Sequence, residues 1–112
     1  MSAITTHVLD LASGRPAAGM GVRLERHGPQ GWRLVAERVT DADGRARDLL
    51  PPGALEAGRW RLTFDTGAWF AAQGVRAFLP EAAVTFEVFD AAQHHHVPLL
   101  LSPFGFSTYR GS

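Results

Sequence analysis

Cysteine and lysine are both absent from this chain of 112 residues. Without cysteine there is no disulfide framework, thiol nucleophile or thiolate metal site, a composition compatible with a reducing cytosol. Long apolar runs are missing too, since no segment approaches the roughly 20 apolar residues that span a bilayer. The first residues also lack the basic and apolar regions of a signal peptide. We therefore expect a cytoplasmic protein without a membrane anchor.

An excess of charge of one sign is missing as well, because eleven arginines balance eleven acidic residues. No broad electrostatic field is therefore expected to attract nucleic acid or an anionic membrane. The exclusive use of arginine is most simply a coding bias, although its planar guanidinium also suits recognition of a buried anion. Composition alone leaves both explanations open.

Turn residues and short alternating segments dominate what the chain does contain. There are twelve glycines and seven prolines, and 46% of the residues are hydrophobic. This length is typical of one domain, taken as residues 1–112. Turn signals recur about every 8–12 residues, which predicts an all-β fold: an antiparallel β-sandwich of about eight strands in two sheets, with one short helix. The predicted strands cover residues 4–10, 21–28, 32–40, 45–50, 59–65, 83–90, 94–102 and 104–110.

The same pattern predicts which side chains point into the core and where elements end. A short helix is expected over 66–73, with Thr66 as its cap and Gly74 at its end. Pro98 removes a backbone donor, so its part of the strand is expected at an edge or a bulge. Alternation places two sets of apolar residues each on one face: Trp60, Leu62 and Phe64, and Trp32, Leu34 and Ala36.

Histidines are the main candidates for chemistry. His7 lies in the middle of the first strand, and three histidines are consecutive at 94–96. On a strand, His94 and His96 point to one face and His95 to the other. Two histidines on one face suggest a metal site, but a zinc site needs at least a third protein ligand, from His7 or a carboxylate. Ordinary strand histidines, a metal site and a catalytic pair all remain open at this point.

Several motifs together resemble one family, and they are THVLD, GRPAAG, TDADGR and the terminal HHHVPLLLSPFGFSTYRGS. The chain is similar through them to the 5-hydroxyisourate hydrolases, the enzymatic branch of the transthyretin-like proteins. The final YRGS is the specific part, since it separates these hydrolases from the hormone-carrying transthyretins of the same fold. The chain departs from the family at His95, Phe104 and Phe106, where the family usually has tyrosine.

The resemblance implies hydrolysis of the six-membered ring of 5-hydroxyisourate in urate degradation, without cofactor or metal. The product would be 2-oxo-4-hydroxy-4-carboxy-5-ureidoimidazoline. His7 and His96 match the catalytic histidines, which would activate water and transfer a proton at a lactam carbonyl. Arg45 matches the catalytic arginine, which would bind the anionic substrate and stabilise oxyanion charge. The substrate-binding residues that the resemblance implies are Tyr109, Arg110, Gly111 and Ser112.

The resemblance also implies a homotetramer, a dimer of dimers, with the sites at the dimer–dimer interface. Its partner would be the small-molecule substrate, with neither nucleic acid nor membrane. Arg47 shares a predicted strand face with Arg45 and could take its place, although the motif favours Arg45. Two rival functions are a non-catalytic carrier of a small aromatic ligand and a metal-binding or structural β-sandwich.

Overall fold

The computed structural model of the protein describes residues 2–112. No helix in this part of the chain is both long and apolar enough to cross a membrane. The strands, nine among the described residues, are β1 (Ile4–Asp10), β2 (Arg15–Pro16), β3 (Gly21–Gly28), β4 (Gly31–Val39), β5 (Arg45–Ala46), β6 (Gly58–Phe64), β7 (Ala82–Val88), β8 (His95–Ser102) and β9 (Gly105–Thr108), and the helix is α1 (Thr66–Ala71).

Two sheets form the predicted β-sandwich. The first sheet has the strand order β2-β1-β8-β9, with β5 also paired to β1, and the second sheet has the order β4-β3-β6-β7. The predicted fold is confirmed with one difference, because β1 and β8 run parallel. These strands come from opposite ends of the chain, so no tight turn requires them to be antiparallel. Their pairing brings the first and the last sequence motifs side by side.

The core lies between the inner faces of the two sheets, as alternation predicts. Trp60 and Phe64 of the second sheet are buried, and so are Ile4, Val8 and Leu99 of the first. Full burial of one such side chain stabilises the fold by roughly 1.5–3 kcal/mol. The inner faces therefore hold the sheets together, and the outer faces are free to carry polar groups.

A β-bulge changes one predicted face. The β3–β4 register passes from Leu24↔Ala36 to Glu25↔Leu34, so Val35 is an extra residue in β4. Ala36 packs in the core, whereas Leu34 is 49% exposed. The predicted common face of Leu34 and Ala36 is therefore wrong, because strict alternation cannot anticipate an inserted residue.

The short helix begins and ends differently from the prediction. Asp65, not Thr66, occupies its N-cap position, without a capping side-chain hydrogen bond, and the helix ends at Ala71. The Thr66 hydroxyl instead donates to the carbonyl oxygen of Leu79 at 3.3 Å. Gly74 follows with a φ of 73°, a left-handed conformation that glycine adopts without steric cost. Tertiary packing against the 79–80 segment therefore replaces the expected cap.

Pro98 lies in an interior strand, at neither of the predicted positions, a sheet edge or a bulge. β8 pairs with β1 on one side and β9 on the other. The β8–β9 ladder reaches Leu99↔Thr108, is interrupted opposite Pro98, and resumes at the isolated bridge His96↔Gly111. The missing proline N–H thus leaves a local gap in the ladder. The end of the chain stays beside β8 across that gap.

Candidate active site

Four polar side chains from three strands share the outer face of the first sheet. The β1–β8 register sets Thr5 opposite His96, and the β1–β5 register sets His7 opposite Arg45. Because every second residue of a strand points to the same face, Thr5 and His7 point outward together. The fold thus brings His7, Arg45 and His96, the predicted catalytic set, onto one surface.

The turn before β5 determines where Arg45 lies. Asp41 Oδ1 accepts hydrogen bonds from the backbone N–H groups of Asp43 and Arg45, at 2.9 and 3.0 Å. The bond from Arg45 is the main reason that the pKa of Asp41 lies below its usual value. Gly44 has a φ of 77°, and a Cβ atom there would lie 2.5 Å from the carbonyl oxygen of Val8. Glycine is therefore required for both its conformation and its lack of a side chain.

The two arginines near β5 differ in their partners. Arg47 Nη2 lies 3.9 Å from Asp43 Oδ2, whereas Arg45 has no ion pair within residues 2–112. The predicted strand 45–50 ends at Ala46. Arg47 therefore lies outside the β1–β5 ladder, and the geometry favours Arg45 as the site arginine.

His96 is held by a side chain that the sequence analysis did not select. Thr5 Oγ1 lies 2.8 Å from His96 Nδ1 and 3.0 Å from His94 Nε2. The imidazole rings of the two histidines stack with centroids 6.3 Å apart and planes inclined by 14°. Thr5 lies two residues before His7 on the same strand, so alternation alone would have placed it on the site face.

Burial and neighbouring positive charge act together on His96. Burial is the main cause that lowers the pKa of His96 below 6.5, and the charges of His94, His7 and Arg45 lower it further. A histidine with a pKa below neutrality is uncharged at pH 7 and offers one nitrogen lone pair. His7 and Arg45 thus belong to the electrostatic surroundings of His96.

Gly111 packs directly against the His96 ring. Its N–H donates to the His96 carbonyl oxygen at 2.7 Å. A Cβ atom built on Gly111 would lie 2.7 Å from His96 Cδ2, well inside contact distance. The tail thus covers one side of the imidazole with bare backbone, and any side chain at this position would displace the ring.

The other tail residues lie around this contact. Arg110 Nη2 donates to Gln93 Oε1 and to the carbonyl oxygen of His94, at 3.1 and 3.2 Å. Tyr109 is 57% exposed, and Ser112 is exposed at the end of the chain. Of the predicted substrate-binding residues, Gly111 contacts His96 directly. Arg110 instead braces the segment that carries His94.

His95 is separated from the site by the strand itself. As predicted, it lies on the opposite face from His96, where it is 4% exposed. Its Nδ1 is buried without a hydrogen-bond partner. Burial first, and the charge of Arg110 second, lower the pKa of His95. Within residues 2–112 no group of three or more His, Asp or Glu side chains is arranged to hold a metal ion.

The two-sheet sandwich with its parallel β1–β8 pair is a transthyretin-like fold. Residues 4–111 match the HIUase/Transthyretin family, and the chain belongs to that family. It is 50% identical to a 5-hydroxyisourate hydrolase of Caulobacter vibrioides over 116 aligned residues, which cover all of both chains.

Two solved structures show the same fold. The Klebsiella pneumoniae 5-hydroxyisourate hydrolase superposes with a TM-score of 0.85 at 41% identity, covering 97% of this chain and 92% of the other. Sea bream transthyretin, solved with thyroxine, gives a TM-score of 0.93 at 31% identity, covering 98% and 95%. Backbone similarity therefore does not separate enzyme from carrier, whereas sequence identity favours the hydrolases.

Proposed function

We propose that this chain hydrolyses 5-hydroxyisourate to 2-oxo-4-hydroxy-4-carboxy-5-ureidoimidazoline in urate degradation, as a cytoplasmic enzyme of one domain. The observation that carries the proposal is the convergence of His7, Arg45 and His96 on one open face, with no carboxylate paired to Arg45 among residues 2–112. The hydrolase names of its relatives at 41–50% identity support it. An unpaired guanidinium beside two imidazoles suits an anionic, urate-like substrate.

The chemistry requires a nucleophile, an acid and stabilisation of charge on oxygen. Water attacks a lactam carbonyl carbon of the six-membered ring while a neutral histidine takes its proton. The carbonyl oxygen becomes negative, and the Arg45 guanidinium stabilises that charge. The carbon–nitrogen bond then breaks, and the nitrogen receives a proton as the carboxylate product forms. His7 and His96 share these proton transfers.

The tail contributes the wall of the pocket. Gly111 fixes the His96 ring through backbone contact, while Tyr109 and Ser112 would close around the heterocycle. Arg110 would join them by leaving its contacts with Gln93 and the His94 carbonyl oxygen. No cofactor enters this chemistry. Activated water and fixed positive charge are sufficient for amide hydrolysis.

We further propose a homotetramer, a dimer of dimers, with the sites at the dimer–dimer interface. β7 and β9 are edge strands of the two sheets, and unpaired edge strands readily pair with a second copy. The outer face that carries the site is open in the single chain and would become enclosed between dimers. Sedimentation of the purified protein at assay concentration as a tetramer is the expected result, and a monomer would contradict this arrangement.

A non-catalytic carrier is the weaker alternative. Its support is the TM-score of 0.93 to sea bream transthyretin, which reports the shared backbone. The higher identity to the hydrolases and the histidine–arginine face favour catalysis.

The decisive experiment follows the ultraviolet absorbance of freshly generated 5-hydroxyisourate. The protein should accelerate its decay, and His96→Ala should lower turnover by about 10²–10⁴-fold, the usual contribution of general acid–base catalysis. Thermal unfolding of the variant should stay close to that of the parent protein. No acceleration by the parent protein would refute the proposed activity.

A further inference from the structure

One hydroxyl group connects two histidines at the site. Thr5 Oγ1 is within hydrogen-bond distance of both His96 Nδ1, at 2.8 Å, and His94 Nε2, at 3.0 Å. A hydroxyl has one proton and two lone pairs. It can therefore accept a hydrogen bond from one imidazole while it donates to the other. The proton positions on the two rings are linked through this single group.

This link matters because Nε2 is the only nitrogen of His96 left for chemistry. Among residues 2–112 no hydrogen bond involves that atom, whereas Nδ1 is bound to Thr5. A neutral imidazole carries its proton on one nitrogen and its lone pair on the other. His96 can take a proton from water at Nε2 only if Nδ1 carries the resting proton.

We propose that Thr5 and His94 are positioning residues that hold His96 in the tautomer protonated on Nδ1, with a lone pair on Nε2. In this arrangement His96 Nδ1–H donates to Thr5 Oγ1, and the Thr5 hydroxyl donates to His94 Nε2. The inference rests on the function proposed above and assigns its two proton transfers to different histidines. His96 is the base, and His7 supplies the proton to the leaving nitrogen.

The proton balance of this scheme closes through exchange with solvent. As water attacks the carbonyl carbon, one of its protons moves to His96 Nε2, and the imidazolium keeps its Nδ1–H bond to Thr5. When the carbon–nitrogen bond breaks, its electron pair remains on nitrogen, which takes a proton from the His7 imidazolium, and the new carboxyl group releases the second water proton to solvent. Exchange with solvent then removes the proton from His96 and returns one to His7.

The side chains facing His96 agree with a resting lone pair. His7 on β1, Arg45 on β5 and His94 before β8 are all cationic or titratable to a cation, and from the tail Gly111 adds no side chain. Positive neighbours disfavour protonation of His96 before substrate binds. An anionic substrate would offset this charge and make proton uptake during attack easier.

Thr5→Val tests the role of the hydroxyl with almost no change of shape. Turnover should fall about 10- to 100-fold, a large part of a general-base contribution, while KM changes by less than about threefold. The acid limb of the kcat/KM profile should move to lower pH, since the His96 imidazolium loses its acceptor. Thr5→Ser keeps the hydroxyl and should restore turnover to within about threefold of the parent protein.

Thr6→Val is the matched control on the same strand. The Thr6 hydroxyl donates to the Val97 carbonyl oxygen at 2.6 Å on the opposite, buried face. This variant should lose stability, because a buried acceptor is left unpaired, but should keep its turnover and pH profile. A loss of turnover equal to that of Thr5→Val would mean that any disturbance of β1 impairs the enzyme, and would overturn the proposal.

His94→Ala tests the second half of the link. Turnover should fall by about 3- to 10-fold, and the double variant with Thr5→Val should be no slower than Thr5→Val alone, because both changes act through one group. Additive losses would show that His94 acts independently of Thr5 and would overturn the relay.

Histidine ¹⁵N NMR of the parent protein provides a measurement that does not depend on activity. It should show the His96 proton on Nδ1, and Thr5→Val should give a mixture of tautomers. A proton on Nε2 in the parent protein would overturn the inference. Normal turnover by the parent protein in that case would leave the proposed function intact, whereas absence of turnover would refute the function itself.

Discussion

The outer faces of the two sheets use arginine in opposite ways. On the second sheet Arg61 Nη2 lies 3.0 Å from Glu25 Oε1, and Arg59 Nε lies 3.3 Å from Glu87 Oε1. On the first sheet, within residues 2–112, Arg45 faces histidine and has no carboxylate partner. These carboxylates neutralise the two arginines, and surface ion pairs of this kind contribute only about 0–1 kcal/mol each. On the first sheet, the positive charge of Arg45 remains available to an anionic ligand.

Replacing the unpaired arginine should have the largest effect. Arg45→Gln should lower kcat/KM by about 10²–10³-fold, because an amide cannot stabilise the developing oxyanion as a guanidinium does. Arg45→Lys should recover only part of this loss, since lysine keeps the charge but lacks the planar fork. Steady-state kinetics of 5-hydroxyisourate decay measure both effects.

Arg61→Gln is the matched change on the second sheet. It removes an ion pair and the guanidinium that lies 4.2 Å from the Trp32 ring centroid. Its cost should be about 1 kcal/mol in the free energy of unfolding, with kcat/KM unchanged. Equal losses of kcat/KM in the Arg45 and Arg61 variants would show that the two faces do not differ in their contribution to catalysis.

Displacement of the His96 ring should have the next largest effect. Gly111→Ala would place Cβ 2.7 Å from His96 Cδ2, so the ring must move away from its position. A shift of about 1 Å at a reacting group can cost about 10²-fold, and we expect turnover to fall about 10- to 100-fold. The same ultraviolet assay measures it.

Gly105→Ala controls for the loss of a glycine from the tail. No atom lies within 4 Å of a Cβ built at Gly105, which is also in β9 of the first sheet. That variant should keep full turnover. If Gly111→Ala were equally active, the contact between the tail and His96 would have no part in catalysis.

Local pattern was sufficient to predict much of the fold. The inward face of β6 and the opposite faces of His95 and His96 follow from alternation. The parallel β1–β8 pair, the bulge at Val35 and the interior position of Pro98 did not follow. The first and the third depend on which distant strand lies alongside, and the second depends on one residue inserted into the β3–β4 hairpin. Periodicity carries neither kind of information.

The candidate site could likewise be predicted from the sequence only in part. His7, Arg45 and His96 were selected from motifs, and their placement together comes from pairing between distant strands. Thr5 was missed because a lone threonine on a strand carries no chemical signal by itself. It became visible only when the fold placed its hydroxyl between two histidines.

The smallest predicted effect concerns His95, which is buried on the face opposite the site. The pKa of His95 is lowered in the fold, so as pH falls the unfolded chain takes up the proton first. The uncharged His95 side chain makes its full contribution to stability above about pH 6.5, and that contribution is lost as the pH falls below this value.

His95→Phe removes both this loss and the unpartnered Nδ1. The melting temperature should rise by a few degrees, about 4 °C per kcal/mol, and by more at pH 5.5 than at pH 8. An equal rise at both pH values for His95→Phe would show that the folded and unfolded chains protonate His95 equally, and that burial does not lower its pKa.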